Sequence, residues 1–342
     1  MKSNIKKFIP GFLKPFSRRL YILMKRERTY NLFKRTYTKD MNRYLEHSRT
    51  YGNDDPVKMI GTIILQYHVI EKGLTMPDVR PGFGMDRIIS LCRDCMEYIE
   101  KFGQDDDQLI HATGVIFEYE DYHRGLNFVL DKGVRNSITG LKNILHGEPG
   151  LACQVHTTRT DYFKNISSTF REFSGSRASV RNFTDEEISC HKIGMALDLA
   201  RNTPSACNRQ SWRTYVFTDK KVISGLLESQ GGNRGFGHLT NKLIIIAGEL
   251  GVFCNSNERN QVYIDGGIYS MNLLYALHSL EIATCIMNCS FDYGKEEEIK
   301  HVAGIKDSEV LIAMISCGIP PAEFKIASSP RYGIERTNKF IN

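Results

Sequence analysis

Across its 342 residues the chain has no apolar run approaching the ~18–20 residues needed to cross a bilayer. A membrane-spanning helix is therefore not expected. The first residues lack the unbroken apolar core and small-residue cleavage site of a secretory signal. No internal repeat is visible. The nine cysteines are an odd number, scattered and mostly inside apolar runs. That pattern argues against a disulfide framework and for free thiols in a reducing, cytoplasmic compartment. One Cys-x-x-Cys occurs, Cys92-Arg-Asp-Cys95, on an expected helix. With no second pair at metal-ligand spacing, it reads as two core-facing thiols rather than a zinc or redox site. Bulk disorder is excluded as well, because 41% of residues are hydrophobic and 25% charged, ordinary for a globular protein.

The formal net charge of +6 is unevenly spread. From Lys2 to Arg43 there are thirteen Lys or Arg against two acids, Glu27 and Asp40. Phe8, Ile9, Phe12, Leu13, Phe16, Leu20, Tyr21, Leu23 and Met24 are interleaved with that charge. A basic amphipathic segment over residues 1–50 can lie on an anionic membrane surface, here the inner face. It can equally dock on its own protein or remain solvated. No nucleic-acid motif accompanies the charge, so nucleic acid is not an expected partner.

Residues 1–50 read as helical, with Pro10 and Pro15 as interruptions. Further helices are expected over 57–72, 86–102, 106–130 and 133–147, the first stopped by Gly73 as a left-handed cap. Gly147 to Gly150 punctuate the last. Residues 51–170 thus form a helical extension. Ser174-Gly175-Ser176 reads as a flexible joint, after which helices and strands alternate. Thr184-Asp-Glu-Glu187 reads as a capping box opening a helix to about Arg201. Strands are expected at 213–218, 242–248, 282–287 and 310–317. Helices are expected at 219–229, 262–280 and 295–303. The order predicts an α+β domain over 171–342 with a central sheet flanked by helices.

Two stretches carry chemistry. Residues 176–183, Ser-Arg-Ala-Ser-Val-Arg-Asn-Phe, bring two arginines and two hydroxyls together, the groups that satisfy a phosphate. Residues 203–212 carry Ser205, Asn208 and Gln210, short polar groups able to read the edge of a planar heterocycle. They end at Trp212, the only tryptophan. Taken alone, this second stretch also suits an ordinary helix-to-strand connection. Together, about 25 residues apart, the two resemble the opening of the nitroreductase family. The order downstream is similar as well: Gly232-Asn-Arg-Gly-Phe236, a strand, a long helix, a strand, then Gly318-Ile-Pro320 and Arg331.

The resemblance implies a nitroreductase-like sheet, an FMN cofactor and an obligate homodimer. It implies that Arg177 and Ser179 bind the FMN phosphate, joined by Arg331 and, less directly, Arg181. Ser205, Asn208 and Gln210 would lie against the flavin, often that of the partner subunit. Asn233 would approach its pyrimidine side, and Asn288 and Cys289 its other face. The implied reaction is ping-pong hydride transfer from NAD(P)H to a small electron-poor acceptor. No particular side chain is implied as catalytic acid, base or nucleophile. No separate Gly-x-Gly-x-x-Gly fingerprint is present to distinguish NADH from NADPH. The chain departs from the family at Ser211, at Glu281 and Cys289 (where glycine is common nearby), and at Ser329, where a base often stands.

The segment His68 to Pro77 resembles, more loosely, nitroreductase-like proteins of bacterial surface-polysaccharide gene clusters. His68-x-x-Glu71 and Glu120-x-x-His123 each place a His and a Glu on one helical face. Paired motifs of that kind hold metals in helix bundles. Here they run in opposite order without further carboxylates, so no metal site is expected. In residues 262–280, apolar on nearly all sides, Asp265 and Asn272 read as satisfied buried polar groups. The alternative to an enzyme is a flavin-fold binding or scaffold protein that docks on a membrane through its basic N-terminus.

Overall fold

The computed structural model describes residues 14–146 and 153–341. Pro10 and the segment around it, and the glycines at 147 and 150, lie outside those residues. The chain divides into two units, Met1–Asn53 with Phe253–Arg259, and Asp54–Val252 with Asn260–Asn342.

In the first unit, α1 (Lys14–His47) is a single helix of 34 residues. Pro15 does not interrupt it, because it falls in the first turn, where a missing N–H costs nothing. Leu20, Tyr21, Leu23 and Met24 are exposed. Asp40 is gripped by both prongs of Arg259, with Nη2 donating to Oδ1 at 2.8 Å. That pair ties α1 to the turn Ser256–Glu258.

The second unit begins with four helices. Asp55 caps α2 (Pro56–Leu74) by accepting from the N–H groups of Val57 and Lys58, and Pro56 occupies the first turn. α2 runs past Gly73 to a cap at Thr75. Gly73 has no left-handed φ. It is needed for a close approach instead, since a Cβ there would meet the Phe83 ring at 2.3 Å. Next come α3 (Met85–Phe102), α4 (Asp107–Gly125) and α5 (Lys132–Ile144). α4 stops at Gly125, short of the expected 130. Ile63, Ile70, Leu91, Val115 and Ile138 are fully buried in one shared core. Each such side chain contributes roughly 1.5–3 kcal/mol by leaving water.

Between this bundle and the sheet come β1 (Gln154–Thr158), α6 (Arg159–Phe163) and α7 (Phe170–Ser176). The expected flexible joint at 174–176 is the last turn of α7, which Thr169 and Glu172 open with a capping box. The capping box expected at 184–187 does not form. Glu187 instead ion-pairs with Lys242, whose ammonium is buried, and accepts from Asn241. α8 (Cys190–Ala200) therefore starts later, under a Ser189 cap.

The remaining helices and strands are β2 (Trp212–Phe217), α9 (Lys220–Gln230), β3 (Lys242–Glu249), α10 (Gln261–Ser279), β4 (Ala283–Asn288), α11 (Tyr293–Ala303), β5 (Glu309–Gly318), β6 (Glu323–Ala327) and the short α12 (Ile334–Thr337). The central sheet has the order β2-β3-β5-β4, antiparallel throughout. On β3, Leu243 and Ile245 face a core shared with α9 and α11, while Ile244 and Ile246 face one shared with α8 and α10. Strand periodicity thus buries a continuous apolar run on both faces. The result is an α+β protein with a mostly helical N-terminal region. One pairing was not expected from sequence: β1 and β6 form a separate antiparallel ribbon.

Candidate functional site

The segment after α7 is held along the edge of the sheet. Val180 donates its N–H to the Thr284 carbonyl at 2.9 Å, and Ser179 forms a parallel bridge with Thr284 of β4. This fixes Arg177, Ser179 and Arg181 on one wall of a cavity of about 990 Å³, which Arg331 also lines. The Arg177 Nη1 is buried and has no hydrogen-bond partner. A buried guanidinium N–H left unpaired is costly unless a ligand satisfies it. Arg181 is 7% exposed and hydrogen-bonds the Cys285 thiol. Beneath this loop, Ser176 Oγ lies 2.9 Å from both the Phe173 carbonyl and His278 Nε2. Burial, and then the nearby Arg177 charge, push His278 down from 6.5 to about 4, so it is neutral near pH 7. Three arginines thus converge on one cavity, and one buried guanidinium nitrogen among them is unpaired.

The helical extension supplies another part of the wall. Tyr67, His68 and Glu71 of α2 line the same cavity. Glu71 is fully buried. One carboxylate oxygen meets His68 Nδ1 at 2.8 Å and Ser329 Oγ at 2.9 Å; the other meets His111 Nε2 at 3.0 Å. Burial pushes the Glu71 carboxyl up, but the bonds from His111, His68 and Ser329 outweigh it and hold the group at about 2. A charged carboxylate accepts only, so each imidazole presents an N–H to it. The Tyr67 hydroxyl donates to Gln108 Oε1, and Gln108 donates to the Pro330 carbonyl at 3.3 Å. α2 and α4 therefore clamp the segment that carries Arg331.

The second stretch does not reach this cavity within the chain. Cys207, Asn208 and Gln210 all adopt left-handed backbone, with φ of 53°, 54° and 47°. Such strain in non-glycine residues persists only where surrounding structure enforces it. Here the buried Asp265 of α10 accepts from the Ala206 N–H at 3.2 Å and from Gln261 at 2.7 Å. Asn272 donates to the Ala200 carbonyl and to Thr203 Oγ1. Asp265 and Asn272 are thus satisfied polar groups that pin the loop. Asn208 and Gln210 are exposed, while Ser205 Oγ is turned inward to accept the Gln210 N–H at 2.9 Å. Trp212 stacks on Tyr269 with ring centroids 4.8 Å apart.

The other three expected contacts also lie outside the cavity. The Asn233 amide donates to the Leu227 carbonyl and to Gln230 Oε1, finishing α9. Asn288 is exposed at the end of β4 and accepts from the Ser290 N–H. Burial, and then Glu296, push the Cys289 thiol up to about 12, so it is no thiolate near neutral pH.

His68 and Glu71 had a sequence signal, their three-residue spacing, but His111 and Gln108 had none. They reach the site only because α4 packs on α2. The companion motif has a structural use. His123 Nε2 accepts the Gly82 N–H at 2.9 Å and Nδ1 donates to the Tyr119 carbonyl, while Glu120 pairs with Lys142. No group of three or more His, Cys, Asp or Glu is arranged to hold a metal among the described residues. Cys92 and Cys95 are both buried free thiols.

Fold and cavity together define an α+β protein with an arginine-lined cavity at the edge of its sheet. Residues 175–234 match the model of the nitroreductase family. No curated protein matches the chain. Among solved structures, an FMN-dependent nitroreductase from Clostridium difficile is similar at 21% identity and a TM-score of 0.42, covering 50% of this chain and 98% of its own. NfrA2 from B. megaterium is similar at 17% identity and a TM-score of 0.44, covering 49% of this chain and 72% of its own.

Proposed function

We propose that the protein is an FMN-dependent oxidoreductase that uses NAD(P)H to reduce a small electron-poor substrate by ping-pong hydride transfer. The observation that carries this reading is the buried, unpartnered Arg177 Nη1. It sits beside Ser179, Arg181 and Arg331 in one cavity, within the segment that matches the nitroreductase model. These residues suit a phosphate ester. Arg177 and Ser179 would hold it, Arg331 would close on it, and Arg181 would add charge from beneath. Bound FMN supplies hydride acceptance and return. The chain's part is to fix the phosphate, orient the ring and exclude water.

Ser205, Asn208 and Gln210 would serve the flavin of a second copy. Two features support this: their loop lies outside the chain's own cavity, and α10 leaves Tyr263, Ile264, Ile268 and Met271 exposed as an apolar stripe. The dimer would then complete each site.

The test is the visible spectrum of the full chain, before and after anaerobic NADH or NADPH. Two flavin bands that bleach with one nucleotide are expected. Protein that stays colourless after incubation with FMN sinks the reading. Arg177→Ala is expected to weaken FMN by about tenfold or more and riboflavin far less, since a charged hydrogen bond is worth about 1.5–3 kcal/mol. Equal losses for the two flavins would remove Arg177 from the phosphate site.

A second reading keeps one observation of its own. α1 exposes Leu20, Tyr21, Leu23 and Met24 along a basic helix, which suits docking on an anionic membrane surface. Sedimentation with anionic vesicles, comparing the full chain with one lacking residues 1–50, tests it. Equal binding of both counts against it.

A further inference from the structure

We propose that His68, supplied by the helical extension, is a phosphate-binding residue of the cavity that also holds Arg177, Ser179 and Arg331. The proposal deepens the flavin reading and rests on it. The His68 side chain is 44% exposed and lines that cavity. Its Nδ1 is committed to Glu71 at 2.8 Å, so the ring is oriented and Nε2, at its opposite edge, is left for a ligand. The anchor is rigid: Glu71 is fully buried and held from a second direction by His111, itself buried.

The position is also informative. His68 Nδ1 and Ser329 Oγ share the same Glu71 oxygen, so His68 stands directly beside the closing segment. The Arg331 guanidinium follows two residues later and donates to the Ser329 carbonyl. α2 thus brings an ionisable ring nitrogen to the cavity wall beside the closing segment. On phosphate binding the free Nε2 takes up a proton and donates it to a phosphate oxygen, a charged hydrogen bond of the kind Arg177 gives. The phosphate is that of FMN or that of a separate anionic ligand. The chemistry is shared.

His68→Gln keeps an N–H donor for Glu71 and removes the ionisable Nε2. Its affinities for FMN and for riboflavin, measured on the full chain, decide the matter. An FMN dissociation constant raised about tenfold, with riboflavin unchanged, is the expected result. Unchanged riboflavin binding also shows that the variant is folded. His68→Lys, which places a cation there, should recover part of the FMN preference. If FMN affinity is unchanged but the FMN-loaded chain loses affinity for inorganic phosphate, His68 serves a second anion and the proposal stands with that source. If neither FMN nor inorganic phosphate binding responds to His68→Gln, the proposal is overturned. Should the wild-type chain bind neither flavin, the flavin reading fails. Inorganic phosphate titrated into wild type and His68→Gln then decides for His68 alone.

Discussion

Glu281 joins α10 to β4 with a left-handed φ of 57°. An L-residue there costs roughly 1–2 kcal/mol, and glycine returns part of that gain through its freer unfolded chain. Glu281→Gly is therefore expected to stabilise the protein by about 0.5–1 kcal/mol in urea unfolding; a loss of stability would show that the Glu281 side chain makes a favourable contact. Gly318 presents the opposite case. A Cβ there would lie 2.3 Å from Phe183 Cγ, so Gly318→Ala should cost about 1–3 kcal/mol by overpacking. The sequence marked both places, Glu281 as a departure from the family and Gly318 as part of its closing motif. It could not show that one is strained and the other crowded.

Elements act through what they pin. The long helix α10 was legible from its apolar run, and its buried Asp265 and half-buried Asn272 were legible as satisfied polar groups. Their partners were not legible, because the loop they hold lies far away along the chain. Asp265→Ala removes the acceptor for the Ala206 N–H and the Gln261 amide. It should cost about 1–3 kcal/mol and speed amide exchange at residue 206. Unchanged exchange would mean that the Ser205–Gln210 bond and the Asn272 contacts suffice to keep the loop in place. The displaced start of α8 has a similar cause. The motif at 184–187 satisfied the local rule for a cap, but Lys242 needed a carboxylate and Glu187 was the one it reached.

For the whole molecule, two buried groups set the acid response. Glu71 is held at about 2 against an ordinary 4.5. Its folded pKa is the lower one, so its contribution is complete above about 4.5 and is lost as pH falls from there toward 2. His278 is depressed from 6.5 to about 4. The folded protein resists a proton that the unfolded chain accepts, so stability begins to fall below 6.5 and the loss is complete near 4. The two windows join into a continuous decline from pH 6.5 downward, each group contributing on the order of 3 kcal/mol. Urea unfolding at pH 7, 5.5 and 4.5 should show that decline, and His278→Gln should flatten its upper part. A profile level from pH 6.5 to 4.5 would contradict the burial of His278.

The sequence by itself determined the α+β order, the strand at 242–248, the phosphate-suited residues 176–183 and the resemblance they carry. Each rests on local chemistry or on a periodicity read within one segment. Tertiary structure alone decided that Glu71 lines the cavity of Arg177 and Arg331, and that β1 pairs with β6. It also decided that the loop bearing Ser205, Asn208 and Gln210 lies apart from the cavity. Those outcomes depend on which distant segments pack together, and α2 against α4 and the closing segment against α2 are contacts that no local pattern specifies.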